Sequence, residues 1–128
     1  MRRLGGQEKE KHIAAARARG VTNVQTKVCS ADDLPFGDAT FDSVSVRFGY
    51  MFFPDPAKAT AEFVRVLKPG GRLCSSVWVK PEENPWTTIL MQAIGTEVVL
   101  APPDPDGPNM YRCAAPRQLG AVYDAAGL

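Results

Sequence analysis

The sequence is poor in the residues that build metal centres and disulfide scaffolds. It has one histidine, His12, and three cysteines, Cys29, Cys74 and Cys113, with no C-x-x-C pair. An odd, scattered set of thiols excludes a disulfide framework, and one histidine cannot complete a zinc site with them at any recognisable spacing. The expectation is buried free thiols in a reducing cytoplasm and no metal. Charge of one sign is missing too: 15 Lys and Arg stand against 14 Asp and Glu. A surface that tracks nucleic-acid phosphates needs a net basic field, so nucleic acid is not an expected partner. No run approaches the roughly 18 apolar residues of a membrane span. The start, Met1-Arg2-Arg3-Leu4-Gly5-Gly6-Gln7, is basic but lacks the apolar stretch of a secretory signal.

What is present is an ordinary globular composition, 45% apolar and 23% charged over 128 residues, which fits one domain, 1–128. Residues 7–19 are Ala-rich and free of proline, and Gly20 follows as a left-handed stop; a helix is predicted. Val24, Thr26 and Val28 alternate with polar residues, which predicts a short strand. A polar turn, Asp32 to Asp38, leads to a second strand, Phe41–Arg47. Asp55 as cap and Pro56 as first residue open a helix that Pro69-Gly70-Gly71 closes. Its apolar stripe is Ala59, Phe63, Val66 and Leu67. A third strand is expected from Arg72 to Val79, then a helix from Asn84-Pro85 burying Ile89, Leu90, Ala93 and Ile94. A proline-rich loop at 101–109 and a last helix from Pro116, with Leu119, Val122, Tyr123 and Ala126 on one side, complete the chain. This is an α/β pattern, with Phe41–Val79 as a β-α-β unit. It names no function.

Several pieces in order do suggest one. They are Asn23-Val24, Ala31-Asp32-Asp33-Leu34-Pro35-Phe36, Phe41-Asp42, Arg47-Phe48-Gly49 and Phe52-Phe53-Pro54-Asp55, then Arg65-Val66-Leu67-Lys68-Pro69-Gly70-Gly71-Arg72-Leu73 and Trp78. In this order, Val24 to Trp86 resembles the class I S-adenosylmethionine-dependent methyltransferases of domain type 11, the group of the ubiquinone and menaquinone C-methyltransferases. The resemblance implies a Rossmann-like, mainly parallel sheet, S-adenosyl-L-methionine as cofactor and a small organic methyl acceptor. It places the Ser30 side chain and the Ala31 backbone at the adenine, and Arg47 at the methionine end of the cofactor. It puts Phe48, Tyr50 and Phe52 on the substrate side, in a run with Met51 and Phe53 of which at least two serve packing. Relatives commonly carry Asp or Asn at the Ser30 position, and the serine hydroxyl is shorter. Arg47 also sits at a strand's carboxyl end, where open α/β sheets bind ligands. No catalytic residue is assigned, because transfer from an activated sulfonium is mostly a matter of alignment. His12 reads as a helix-surface residue.

The resemblance is incomplete. The family fold opens with a strand, a glycine-rich turn, a helix and a second strand ending in an acid that grips the ribose. Nothing before Gln7 matches these, so the expected fold is partial, lacking the first two strands and the last two. Three arrangements follow: a truncated reading of a longer gene, direct pairing of the first strand with the second, or a homo-oligomer or complementing chain that supplies the missing pair. A partial sequence is the preferred expectation. The alternative function is a non-catalytic remnant that binds a partner or an adenine-like ligand weakly.

Overall fold

A computed structural model describes residues 5–99, 104 and 107–128, with side chains from residue 10 onward. The chain divides into two compact units, Met1–Ser30 and Ala31–Leu128.

The first unit is built on α1, Gly5–Ala18. Its end follows from Gly20, whose φ of 75° is open to glycine without a Cβ penalty. The Val21 N–H returns to Ala16 O at 3.0 Å and the Gly20 N–H to Arg17 O at 2.9 Å, a Schellman closure that satisfies two orphan carbonyls. Residues 21–29 form no strand, contrary to the alternation of Val24, Thr26 and Val28. A strand exists through backbone pairing with a neighbour, and alternation alone supplies no ladder. Val24 and Val28 are exposed. His12 lies exposed on α1, as expected.

The second unit contains β1 (Phe41–Arg47), α2 (Pro56–Val66), β2 (Leu67–Ser76), α3 (Pro85–Gly95) and α4 (Gln118–Ala125). Strands β1 and β2 run parallel, and α2 is the crossover between them. The Asp55 carboxylate accepts from the Lys58 N–H at 2.9 Å, and Pro56 takes the first helical position, where a missing N–H costs nothing. The stripe Ala59, Phe63, Val66 and Leu67 is buried throughout. Together with Tyr50, the first two make the centre of the core, against which Val44, Val46 and Leu73 pack from the sheet and Leu119 and Tyr123 from α4.

The second strand of the sheet begins earlier than the glycine pair suggests. Phe41 pairs with Leu67, and the register then jumps so that Ser43 faces Arg72. Lys68-Pro69-Gly70-Gly71 is therefore a bulge inside β2 rather than a turn ahead of it. The strand stops at Ser76, three residues short of Val79. Alternation in β2 turns Arg72 and Cys74 outward and Leu73 inward, so Cys74 is exposed. Cys29 is exposed as well and Cys113 half-buried, which corrects the expectation of buried thiols.

Helix α3 starts where Asn84-Pro85 predicts, but its expected face is not buried. Ile89, Leu90 and Ala93 are exposed and Ile94 is half-buried. The buried residues here are polar: Asn84, which donates to Val79 O at 3.0 Å and Lys80 O at 2.9 Å, and Thr87, whose hydroxyl meets that of Tyr111. The last helix agrees with its pattern, with Leu119, Val122, Tyr123 and Ala126 all half-buried. Of the proline-rich loop 101–109, all but residues 104 and 107–109 lie outside the described residues.

Candidate functional site

In a parallel pair both carboxyl ends lie on one side, and here these are Arg47 and Ser76. The Phe48 N–H extends the ladder by one bond, to Ser76 O at 2.9 Å. The chain then turns sharply. Phe48 has φ of 52°, a left-handed conformation that is costly for a bulky side chain, on the order of 1–3 kcal/mol. At Gly49, which follows, a Cβ would lie 2.9 Å from Val46 Cγ1, so any larger residue would force Val46 to shift. A single 3-10 turn, Tyr50–Phe52, leads on to α2.

This turn gathers an aromatic ladder at the strand ends. The Phe48 ring stacks on Trp78 with centroids 4.7 Å apart and planes within 19°, and Trp78 meets Trp86 at 5.5 Å. The Arg47 guanidinium lies 5.6 Å from the Phe48 ring centre, within cation–π range. Among the described residues no carboxylate pairs with Arg47. A guanidinium with its forked donors left over can take a carboxylate or a substrate oxygen.

The other residues predicted for the site are placed differently from one another. Tyr50 has no exposed surface; its hydroxyl shares a 3.0 Å bond with Thr60, whose own hydroxyl donates to Pro56 O. Burial pushes the Tyr50 hydroxyl well above the ordinary tyrosine range, so it stays protonated at neutral pH. Phe52, two residues on, is 53% exposed. Ala31 opens the second unit and packs half-buried against the core cluster. Ser30 closes the first unit and is exposed. Arg47, Phe48, Tyr50 and Phe52 are already neighbours in sequence; of them the fold exposes Arg47 and Phe52, half-buries Phe48 and buries Tyr50.

Two features were not visible in the sequence. One is the Trp78–Trp86 contact, which joins the segment after β2 to the first turn of α3. The other is a clasp on the loop that follows Ala31. Glu62 and Arg65, one turn apart on α2, pair through two bonds of 2.7 and 2.8 Å. Glu62 also accepts from the Leu34 N–H at 2.8 Å, and Arg65 reaches Leu34 O, Phe36 O and the Asp38 carboxylate. The Glu62 carboxyl is held down to about 2, first by Arg65 and then by the Leu34 amide. Their i, i+3 spacing was the available signal; the loop acceptors, some 30 residues away, were not.

An open depression between Ala39, Leu67, Lys68, Gly70 and Leu128 lies at the opposite, amino ends of the strands. Ligands of open α/β sheets bind beyond the carboxyl ends, so the aromatic ladder is the better candidate. Among the described residues there is no group of three metal-ligating side chains, and no helix is long and apolar enough to cross a membrane.

Comparison with known proteins bears on the family and the fold. A family model described as a methyltransferase domain matches residues 6–75. The ubiquinone/menaquinone biosynthesis C-methyltransferase UbiE of Marinomonas sp. (strain MWYL1) is 47% identical over 64 residues, covering 50% of this chain and 26% of that protein. A demethylmenaquinone methyltransferase of Renibacterium salmoninarum is 41% identical over 68 residues, covering 50% of this chain and 29% of its own length. The chain thus spans little more than a quarter of the length of these relatives. A solved SAM-dependent methyltransferase from Thermotoga maritima superposes with a TM-score of 0.59 at 21% identity, over 92% of this chain and 51% of that one. That likeness extends the Rossmann-like fold to this chain, in part.

Proposed function

The chain belongs to the methyltransferase domain family, and from that membership we propose that it forms part of a catalytic domain that methylates a small organic acceptor. S-adenosyl-L-methionine is the donor; when bound, it supplies a methyl group already activated by the sulfonium. The residues present fit part of this cofactor. Arg47 has an exposed guanidinium with no carboxylate partner among the described residues, which suits the methionine carboxylate. The Ala31 backbone and the Ser30 hydroxyl are assigned to the adenine by resemblance alone.

In this reading the chain's residues bind, orient and exclude water. Arg47 fixes one end of the cofactor, and the stacked rings of Phe48 and Trp78 form an apolar wall beside it. Phe52 presents its exposed ring to the acceptor, whereas Tyr50 supports that turn from the core. With its hydroxyl protonated and bonded to Thr60, Tyr50 is not a general base. The observation that carries the proposal is the convergence of Arg47, Phe48 and Trp78 at the carboxyl ends of both parallel strands, within or beside the matched residues 6–75. The cytoplasm is the proposed location, and a complementing chain or a second copy remains part of the proposal as partner.

The alternative reading is a remnant that binds weakly without turnover. Calorimetric titration with S-adenosylhomocysteine separates the two. Micromolar binding overturns the remnant reading, and no heat at millimolar ligand rules out an autonomous enzyme. In a form that binds, Arg47→Ala is expected to weaken binding at least tenfold with little loss of stability, because the side chain is exposed. Unchanged affinity would remove Arg47 from the site.

A further inference from the structure

Arg65 is a side chain whose hydrogen-bonding capacity is completely used. A guanidinium has five N–H donors. Nε and one Nη2 proton go to the Glu62 carboxylate at 2.7 and 2.8 Å, and the other Nη2 proton goes to Leu34 O at 3.0 Å. The two Nη1 protons go to Phe36 O at 2.9 Å and Asp38 Oδ1 at 2.7 Å. Glu62 in turn receives the Leu34 N–H, so the pair grips both backbone groups of that one residue. Such saturation is more than a helix needs for its own surface. An exposed i, i+3 ion pair contributes a few tenths of a kcal/mol to its helix and requires no third partner. Every bond beyond the Glu62–Arg65 pair itself is directed at one loop.

At its far end that loop is tied by the Ala39 N–H to Arg65 O at 3.0 Å and the Thr40 N–H to Val66 O at 2.8 Å. It forms no strand or helix between Ala31 and Thr40. Leu34 tucks into the core, Phe36 packs edge-on against Phe41, and Lys58 approaches Asp32 at 3.8 Å. Pro35 and the 2.8 Å bond from the Phe36 N–H to Leu34 O shape the turn itself, and hydrophobic contacts seat the Leu34 and Phe36 side chains. The clasp anchors that turn to α2 in one orientation, because a planar fork donates to carbonyls in only a few directions.

We propose that Arg65 and Glu62 are positioning residues that hold the Ala31–Asp38 loop in the backbone shape that presents Ala31 to an adenine-like ligand. This rests on the reading of Ala31 as a cofactor contact. Neither residue touches the ligand; both act through Leu34. Lysine retains the charge at position 65 but offers three donors from a single point and cannot bridge two carbonyls and two carboxylates, so Arg65→Lys is the decisive variant.

The test uses the whole chain, the Arg65→Lys variant and, as a control for general loss of stability, Leu119→Ala on α4. Each is titrated with S-adenosylhomocysteine by calorimetry well below its melting temperature, and the Leu34 amide exchange rate is followed by NMR. Arg65→Lys is expected to weaken binding tenfold or more and to speed Leu34 exchange at least tenfold. Leu119→Ala should lower the melting temperature and leave both readouts within twofold of the unaltered chain. If Arg65→Lys binds as the unaltered chain does, or its Leu34 amide exchanges at the same rate, the positioning role is overturned while the cofactor reading stands. If Leu119→Ala weakens binding equally, the effect is one of stability and the proposal fails. No heat from the unaltered chain at millimolar ligand rules out an adenine contact made by this chain on its own, and this proposal fails with it.

Discussion

Helices α2 and α3 are each 11 residues long, and each begins with a proline after a polar residue, yet they end in opposite circumstances. α2 carries Lys58, Glu62 and Arg65 and buries its whole apolar stripe. α3 carries no charged residue and leaves Trp86, Ile89, Leu90 and Met91 exposed, Ile89 at 64%. The more apolar helix is the less buried one. The difference lies in connection rather than composition. α2 is joined at both ends to strands of one sheet, so its stripe is held against that sheet whether or not other contacts form. α3 leaves β2 through a 3-10 turn, Pro81–Glu83, and no later strand among the described residues returns the chain to the sheet.

The contrast can be broken most directly at Phe63. Buried at the centre of the core among Tyr50, Phe53 and Ala59, it should cost roughly 3–5 kcal/mol on Phe63→Ala, measured by urea unfolding. A mild effect would mean that α2 does not organise the unit. A smaller change sharpens the role of the solvent-side residues of α2. The folded value of about 2 for Glu62 lies below its ordinary 4.5, so the stabilisation it brings is present above pH 4.5 and is lost as pH falls toward 2. Glu62→Gln should therefore lower stability at neutral pH and flatten its dependence across that window; urea unfolding at stepped pH with an unchanged slope would contradict the clasp. The smallest effect belongs to α3. Ile89→Ser should alter stability by no more than about 0.5 kcal/mol, as for an exposed position. A loss near that of Phe63 would show that the helix face is covered in solution.

The same two helices show what the sequence could and could not disclose. Asp55 and Pro56 located the start of α2 because capping is local chemistry, written within three residues. Phe41–Arg47 was legible for the same kind of reason, its alternation being intrinsic to the segment. Val24, Thr26 and Val28 alternate just as well and form no strand, and Ile89, Leu90 and Ala93 repeat at helical spacing and are not buried. Periodicity records that a face is apolar, not that anything lies against it. At the candidate site, the position of Arg47 at the carboxyl end of β1 was legible because the strand's alternation ends there. The Phe48–Trp78–Trp86 ladder and the reach of Arg65 to Phe36 and Leu34 depend on tertiary neighbours, and no spacing in the sequence encodes them.

Phe48 shows how a site and its scaffold can pull apart. Its backbone occupies a region where glycine would rest at ease, so the chain tolerates a torsional load to keep a benzyl group over Trp78. A glycine at this position would relax the turn and strip the wall beside Arg47. A torsional load on the order of 1–3 kcal/mol is thereby set against the ring stack and the lower entropy of the unfolded chain, and the sign of the Phe48→Gly effect reads which is larger.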